Sequence, residues 1–295
     1  MKKIYAILAV ALLSYAMQSC IRDEIKDCEG MQVSVTVKDK NYFNVDMQTA
    51  EPRKSEGLSF RQYIPTLFYI LRDAESGKVV EQKGVFPVEG DGQTFNLSFC
   101  DCLPHGKYVL TIWGGLTDNS RIQDNPLKLL LHADGMETED IYLSNDTLTY
   151  GSSGNSYTVD MERVTGKLII ETVNLPQEFH YFSHAVNNLG RDVNNEFHYG
   201  VPASIHKEGE LPTGSPANIK TILAPTVNNS LSTLGMEFLE SPLNTETKLV
   251  LKNVDITLKR NELTSVRYVY DEDSDQLTIY ILVNAVWEKV NSLEI

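Results

Sequence analysis

The stretch Arg267-Tyr268-Val269-Tyr270-Asp271-Glu272-Asp273-Ser274-Asp275-Gln276-Leu277-Thr278-Ile279-Tyr280 decides the fold. Two runs rich in β-branched and aromatic residues flank an acidic, turn-forming centre, the pattern of an antiparallel hairpin. The same signature recurs outward along the chain. Residues 33–37 (V-S-V-T-V), 67–71 (L-F-Y-I-L), 94–99 (T-F-N-L-S-F) and 108–113 (Y-V-L-T-I-W) read as strands. So do residues 157–161, 168–173, 249–258, 265–270 and 277–286. Several alternate apolar and polar with period two, as strands half-buried in a sheet must. Only two short segments, 126–133 and 178–188, read as helix candidates. Many short strands punctuated by Gly, Pro and Asn-Asp predict an all-β chain of stacked β-sandwiches. A boundary is expected near Arg163, giving an N-terminal sandwich over 31–162 and a C-terminal one over 163–295.

The N-terminus has a different character. Met1-Lys2-Lys3 precedes an apolar run from Ile4 to Ala16, and Ser19-Cys20 is followed by Ile21-Arg22-Asp23-Glu24. A basic start, a short apolar run and a small residue before the cut describe a secretory signal. The run is shorter than the roughly 20 residues needed to span a bilayer. Cys20 then reads as the first residue after a lipoprotein signal over 1–19, its thiol carrying a thioether-linked diacylglycerol with acyl chains such as palmitate. Several chains on one residue give stable anchoring in the outer membrane, where one alone binds marginally. Met17 and Gln18 stand where such signals usually have Leu and a small residue, and ordinary cleavage after Ser14-Tyr15-Ala16 is the alternative. Residues 20–30 are polar and read as a tether. Asp23-Glu24 resembles the surface-export signal of Bacteroidetes lipoproteins, or is simply a solvated part of that tether.

The charge balance excludes one class of partner. The full chain carries 26 Lys+Arg against 40 Asp+Glu, for a net charge of −14. Removing residues 1–19 takes two lysines and no acid, so the remainder is more negative still. Affinity for nucleic acid comes from Lys and Arg against phosphate, which this chain is poorly equipped to supply. With 42% hydrophobic and 9% aromatic residues, the chain has enough apolar material for a packed core. Once Cys20 is acylated, Cys28, Cys100 and Cys102 remain as disulfide candidates in an oxidising compartment. Cys28 could bridge to either of the other two, leaving one thiol over.

Chemistry-bearing motifs are scarce. The sequence has no G-x-S-x-G elbow, no H-E-x-x-H helix and no phosphate loop. His180 and His184 would share a face on a helix and could hold a metal there, but satisfied or solvent-facing histidines are the default. Cys100-x-Cys102 with His105 is one ligand short of a zinc site. Asp271, Asp273 and Asp275 match the start of a calcium loop, yet Gln276 and Leu282 replace its required Gly and Glu. Tyr42, Phe43, Tyr63, Trp113 and Trp287 could form a sugar platform, although the two Trp lie in apolar runs that favour core packing. Asp146-Thr147-Leu148 resembles an O-glycosylation acceptor of Bacteroidetes and hints at a surface loop. No enzymatic activity, cofactor or metal is expected.

The order of these features resembles the FimB-type fimbrial anchor lipoproteins of Bacteroidales. The matching stretches are Cys20 with its acidic tail, Cys28 before 33–37, and Leu67-Phe68-Tyr69-Ile70-Leu71. His105-Gly106-Lys107-Tyr108-Val109-Leu110-Thr111-Ile112-Trp113-Gly114-Gly115-Leu116 is similar to a family signature that often has Asn where Gly115 stands. Leu131-His132, Arg163-Val164-Thr165-Gly166-Lys167-Leu168 and Val283-Asn284-Ala285-Val286-Trp287 follow, the last looking like the family's final strand. The resemblance implies two tandem transthyretin-like β-sandwich domains with Greek-key-type connections. It also implies a pilus anchor on the cell surface that limits fimbrium length, with a shaft subunit as partner by β-strand addition. Arg53 is the loop residue at which such chains would be processed, and an anchor should escape that cut. Two alternatives keep the same lipid and sandwiches: a surface glycan-binding lipoprotein, or an adhesive tip subunit of the fimbrium.

Overall fold

The computed structural model describes residues 30–99, 103–122, 125–151, 155–227, 230–242 and 244–294. In chain order the first strands are β1 (Gln32–Val37), β2 (Thr66–Asp73), β3 (Val79–Pro87), β4 (Phe95–Ser98) and β5 (Gly106–Gly114), with one helical turn α1 (Phe60–Tyr63) before β2. Next come β6 (Lys128–Leu130), β7 (Tyr142–Tyr150), β8 (Ser156–Arg163), β9 (Gly166–Val173), β10 (Tyr181–Gly190), β11 (Asp192–Asn194) and β12 (Pro202–Glu210). The rest are β13 (Ala217–Leu223), β14 (Ser232–Ser241), β15 (Asn244–Val250), β16 (Val254–Ile256), β17 (Leu263–Asp271), β18 (Gln276–Val283) and β19 (Val286–Glu294). The fold is all-β, as the periodicity predicts.

The first sandwich is a single seven-stranded path, β3-β2-β5-β7-β8-β1-β4, folded over on itself. Strands β7 and β8 pair only at Tyr142↔Arg163 and Leu143↔Glu162, so the sheet turns a corner there. Val33, Val35 and Val37 of β1 thereby face Leu67, Tyr69 and Leu71 of β2 and Leu110 and Ile112 of β5 across one core. β1 is held on both sides, antiparallel to β4 and parallel to β8.

The second sandwich stacks β13-β9-β17-β18-β19 on β12-β10-β14-β15, with β16 alongside β14. Leu168, Ile170, Val266 and Tyr268 from one sheet meet Phe182, Val186, Met236 and Phe238 from the other. This core does not stop at its own sheets. It runs on through Leu129 and Leu131 to Phe68, Ile70, Trp113 and Leu143 on the outer face of the first sandwich. That face is apolar on both sides, which is why 67–71 reads as a continuous hydrophobic run rather than an alternating one.

Four expectations are corrected. Both helix candidates are extended: residues 178–188 overlap β10 and 126–133 contain β6. In β10, Phe182, His184 and Val186 point inward at period two, and the sequence E-F-H-Y-F-S-H is ambiguous until that burial is known. The single strand expected over 249–258 is broken at residues 251–253 between β15 and β16. The strand expected over 277–286 stops at Val283, and Val283-Asn284-Ala285-Val286-Trp287 holds the tight turn into β19, the last described strand, Asn284 and Ala285 both having the positive φ that a two-residue turn demands. Asp146-Thr147-Leu148 lies within β7, not in a loop, although Thr147 is exposed. The hairpin of Arg267 to Tyr280 forms as read, with β17 and β18 in register from Val266↔Ile281 to Asp271↔Gln276.

Candidate functional site: a locked seam and open sheet edges

The two sandwiches meet at a seam organised by Arg163, the last residue of β8. Its side chain is 1% exposed. Nε donates to Asp140 Oδ1 at 2.8 Å, Nη1 donates to Asn261 Oδ1 at 2.6 Å, and Nη2 donates to the Tyr142 hydroxyl. The guanidinium also lies 4.1 Å from the centre of the Tyr42 ring. Its backbone N–H donates to Asp39 at 2.8 Å. Burial opposes the charge, but Asp140 beside it holds the Arg163 pKa above the ordinary arginine value. Planar, permanently charged and five-donor, arginine suits a site with several fixed acceptors. Gly115 packs against this point with φ +86°, and a Cβ there would lie 2.2 Å from the Asp140 carbonyl oxygen. That closeness and the positive φ explain why this position is Gly.

A segment between β1 and α1 reinforces the seam. The Phe43 N–H donates to Asn261 O at 2.8 Å. The Asn44 side chain both donates to Leu263 O and accepts from Leu263 N, each at 2.8 Å. Tyr42 and Val45 pack on Ile169 and Leu263. Glu51 bridges to Lys167 at 2.7 Å and to Lys220 at 2.9 Å. Burial works against the Glu51 charge, yet those two lysines hold its pKa below the ordinary value. Residues 42–51, covalently part of the first half, are thus bonded to the second.

A third link is a two-stranded ladder between β6 and β11, with Leu129 opposite Val193. Nearby, His132 accepts the Ala224 N–H at 3.1 Å through Nε2, while Nδ1 lies 2.8 Å from Met136 O. Burial lowers its pKa to about 4, so the ring is neutral and bridges two backbone groups.

Sequence-predicted site residues are scattered relative to this seam. Cys20, Cys28, Cys100 and Cys102 lie outside the described residues. Arg53 sits at the edge of the clamped segment, half-exposed and paired with Asp46 and Glu56. His180 and His184 do not face one another as ligands. His184 is buried with Nε2 3.0 Å from Thr221 Oγ1, and burial lowers its pKa to about 4. Among the described residues no group of three or more His, Cys, Asp or Glu is placed to hold a metal. The acidic tip of the β17–β18 hairpin is closed by its own bonds, Asp271 accepting from Asp273 N and Ser274 Oγ. Of the proposed sugar platform, Tyr42, Tyr63 and Trp113 are core residues and Phe43 alone stands out. Trp287 departs from the core expectation, since it lies half-buried on edge strand β19 with Arg267 3.8 Å over its ring.

What remains open to partners is the set of sheet edges. β3, β4, β12, β13, β15 and β19 end the three larger sheets among the described strands. Unpaired edges are templates for another chain's strand. Beside the β18–β19 turn, a groove of about 500 Å³ runs between Phe43 and Met47 on one wall and Ile281 to Asn284 on the other. Phe43 is 75% exposed and Val286 60% exposed. Sequence reasoning missed Arg163 as a site residue. It marked only a boundary, because nothing in one sequence ties it to Asp140 and Asn261.

No protein-family model matches the sequence, and no curated protein matches it. Solved structures do match it in fold, all of them two-sandwich β proteins of the kind described above. A candidate adhesin from Bacteroides ovatus is similar with a TM-score of 0.58 at 14% identity, over 92% of this chain and 97% of that one. A candidate polysaccharide-binding protein from Bacteroides thetaiotaomicron gives 0.55 at 13%, over 88% and 98%. The fimbrial anchor protein Mfa2 from Porphyromonas gingivalis gives 0.51 at 12%, over 89% and 100%. At such identities the likeness establishes the fold.

Proposed function

We propose that this chain is a structural lipoprotein that anchors a fimbrium to the outer membrane and limits its length. Residues 1–19 are the signal, Cys20 carries the acyl chains, residues 20–30 tether, and 31–162 and 163–295 are the two domains, exposed at the cell surface. The observation that carries the reading is the path a pull on the lipid end would take. Force enters at β1, a strand paired on both sides, and passes through residues 42–51 directly into the second sandwich. Pulling along a strand loads its ladder hydrogen bonds together rather than one at a time. The fold likeness to a fimbrial anchor and to adhesins supports the same role.

A shaft subunit adds by strand pairing along β19, its apolar side chains entering the groove beside Phe43 and Val283. β17 pairs with β18 and β18 with β19, so residues 276–294 are engaged in their own sheet, which supports a terminal position. The test is a deletion strain, complemented with wild type, Cys20→Ala or Phe43→Ala/Val286→Glu. Deletion is expected to shed fibres or leave them abnormally long. Cys20→Ala releases the protein from the membrane fraction with the fibre. The double variant stays membrane-bound and folded but loses the fibre. Unchanged fibre length and attachment in the deletion strain overturns the anchor reading.

A further inference from the structure

At the end of the second sandwich remote from the seam, the β9–β10 and β12–β13 loops line an open cavity of about 630 Å³. Its size is that of ordinary small-molecule sites. Its location follows from the strand ends. β9 starts at the seam and ends at Val173, β10 starts at Tyr181 and ends beside Arg191, and β13 ends at Leu223, next to the Ala224–His132 bond. In the first sandwich Gln32 pairs with Ser156, at the opposite end of β8 from Arg163. The cavity and the point where the chain leaves toward Cys20 therefore lie at opposite ends of their strands.

We infer that this cavity binds a neutral oligosaccharide. Its wall joins two chemistries. Leu175, Pro176, Phe179 and Pro212 give apolar surface for the C–H faces of sugar rings. Gln177, Thr213, His180 and Glu210 give a polar rim, and among the described residues the side chains of these four make no hydrogen bond within the protein. An amide, a hydroxyl, an imidazole and a carboxylate together both donate and accept, as vicinal sugar hydroxyls require. The loops are held apart from that rim by bonds of their own. Asn174 N donates to Ser215 Oγ at 3.1 Å, and Ser215 Oγ donates to Asn174 Oδ1 at 3.2 Å. His180 is pinned through its backbone, its N–H to Leu239 O and its carbonyl to Leu211 N. A site built this way is shaped before the ligand arrives, which limits the ordering cost of binding.

The charge of the wall selects among ligands. Among the described residues no Lys or Arg lines the cavity, while Glu210 does. Phosphates, sulfated or uronic glycans and anionic lipid headgroups would meet a negative charge with no cation to offset it, on a chain of net charge −14. Neutral sugars escape that penalty. The inference is independent of the anchor reading, because a length-limiting anchor needs no sugar site and a sugar site needs no fibre.

The test uses the purified chain from residue 20 to its end, titrated calorimetrically with maltohexaose, xylohexaose, mannohexaose and galactohexaose, and with heparin and hyaluronan as anionic counterparts. At least one neutral hexasaccharide is expected to bind with a micromolar to low millimolar Kd. Gln177→Ala/Thr213→Ala should weaken it at least tenfold with an unchanged thermal midpoint, as should His180→Ala/Glu210→Ala, which removes the rest of the polar rim. The inference is overturned if no neutral hexasaccharide binds, if only the anionic polymers bind, or if neither variant changes the affinity. The fibre phenotype of the deletion strain moves with none of these outcomes.

Discussion

Arg163 and Asp140 form a charge pair at 2.8 Å in which the arginine is fully enclosed and the aspartate a quarter exposed, at the junction of the two sandwiches. The pair is one arm of a network that reaches Asn261, 98 residues further along the chain. Breaking a buried pair from one side leaves the other charge stranded, at a cost of about 3–5 kcal/mol. Asp140→Ala and Arg163→Ala should each lower stability by that amount in urea titration. Arg163→Lys should recover less than half, because an ammonium cannot serve Asp140, Asn261 and Tyr142 together. A full rescue by lysine would mean that only the charge matters.

Trp113 is fully buried in β5 where the two cores join, and its Nε1 donates to Pro126 O at 3.0 Å. Trp113→Ala should cost about 3–5 kcal/mol, as for other large-to-small core changes. Trp113→Phe keeps most of the packing and loses the hydrogen bond, and about 1 kcal/mol is the expected penalty. Because Trp287 is half-exposed, collisional quenching should split into an accessible and a protected component. A Trp113→Phe variant that keeps the protected component would place the wrong ring in the core.

His132 and His184 are buried neutral, each with a pKa lowered by burial from 6.5 to about 4. The unfolded chain takes up these protons near pH 6.5 and the folded chain only near pH 4. Their neutral burial is therefore fully tolerated above about pH 6.5, and stability falls as pH drops from there to about 4. Each contributes roughly 2–4 kcal/mol to that slope. The His184→Gln variant should flatten the pH dependence of the denaturation midpoint in this window, even if its stability at pH 8 is lower. An unaltered slope would show that His184 does not titrate with folding.

Arg53 is reachable by an Arg-specific protease, but residues 42–51 before it are bonded to the second sandwich. Cleavage after Arg53 should be slow in the folded state. When it is forced, the fragment ending at Arg53 should stay bound through size-exclusion chromatography, since releasing β1 means stripping both its ladders and the clamp. Asn44→Ala/Glu51→Ala should speed the cut and let the fragment leave. Prompt dissociation of the wild-type fragment would remove the clamp from the account.

The strands that one sequence discloses best are those with one face in a core. Residues 33–37 and 157–161 pair with each other as β1 and β8, and alternate visibly because their outer sides meet water. The edge strands β3 and β12 are the least legible. In β12 only Ile205 is fully buried, and in β3 no residue is, so neither carries a pattern to read. The helix expected over 178–188 failed because Asn187 and Asn188 interrupt the alternation. Asn188 has positive φ, and the register with β12 slips between Val186 and Leu189. The seam was invisible for another reason: Tyr42, Asp140, Arg163 and Asn261 are ordinary residues until the chain folds.

The clamp also dictates the order in which the molecule can be finished. Asn44 finds its partner Leu263 only 219 residues later, and β1 waits for β8. Contacts so distant in sequence make folding slow. A chain that emerges N-terminus first can pair β1 with β4 early, gains its second ladder on β8 only about halfway along, and closes the clamp onto Leu263 last. Until β8 arrives β1 keeps one open side, and until residue 263 arrives the segment 42–51 hangs free of its partner, so the first part of the chain made is the last to be locked.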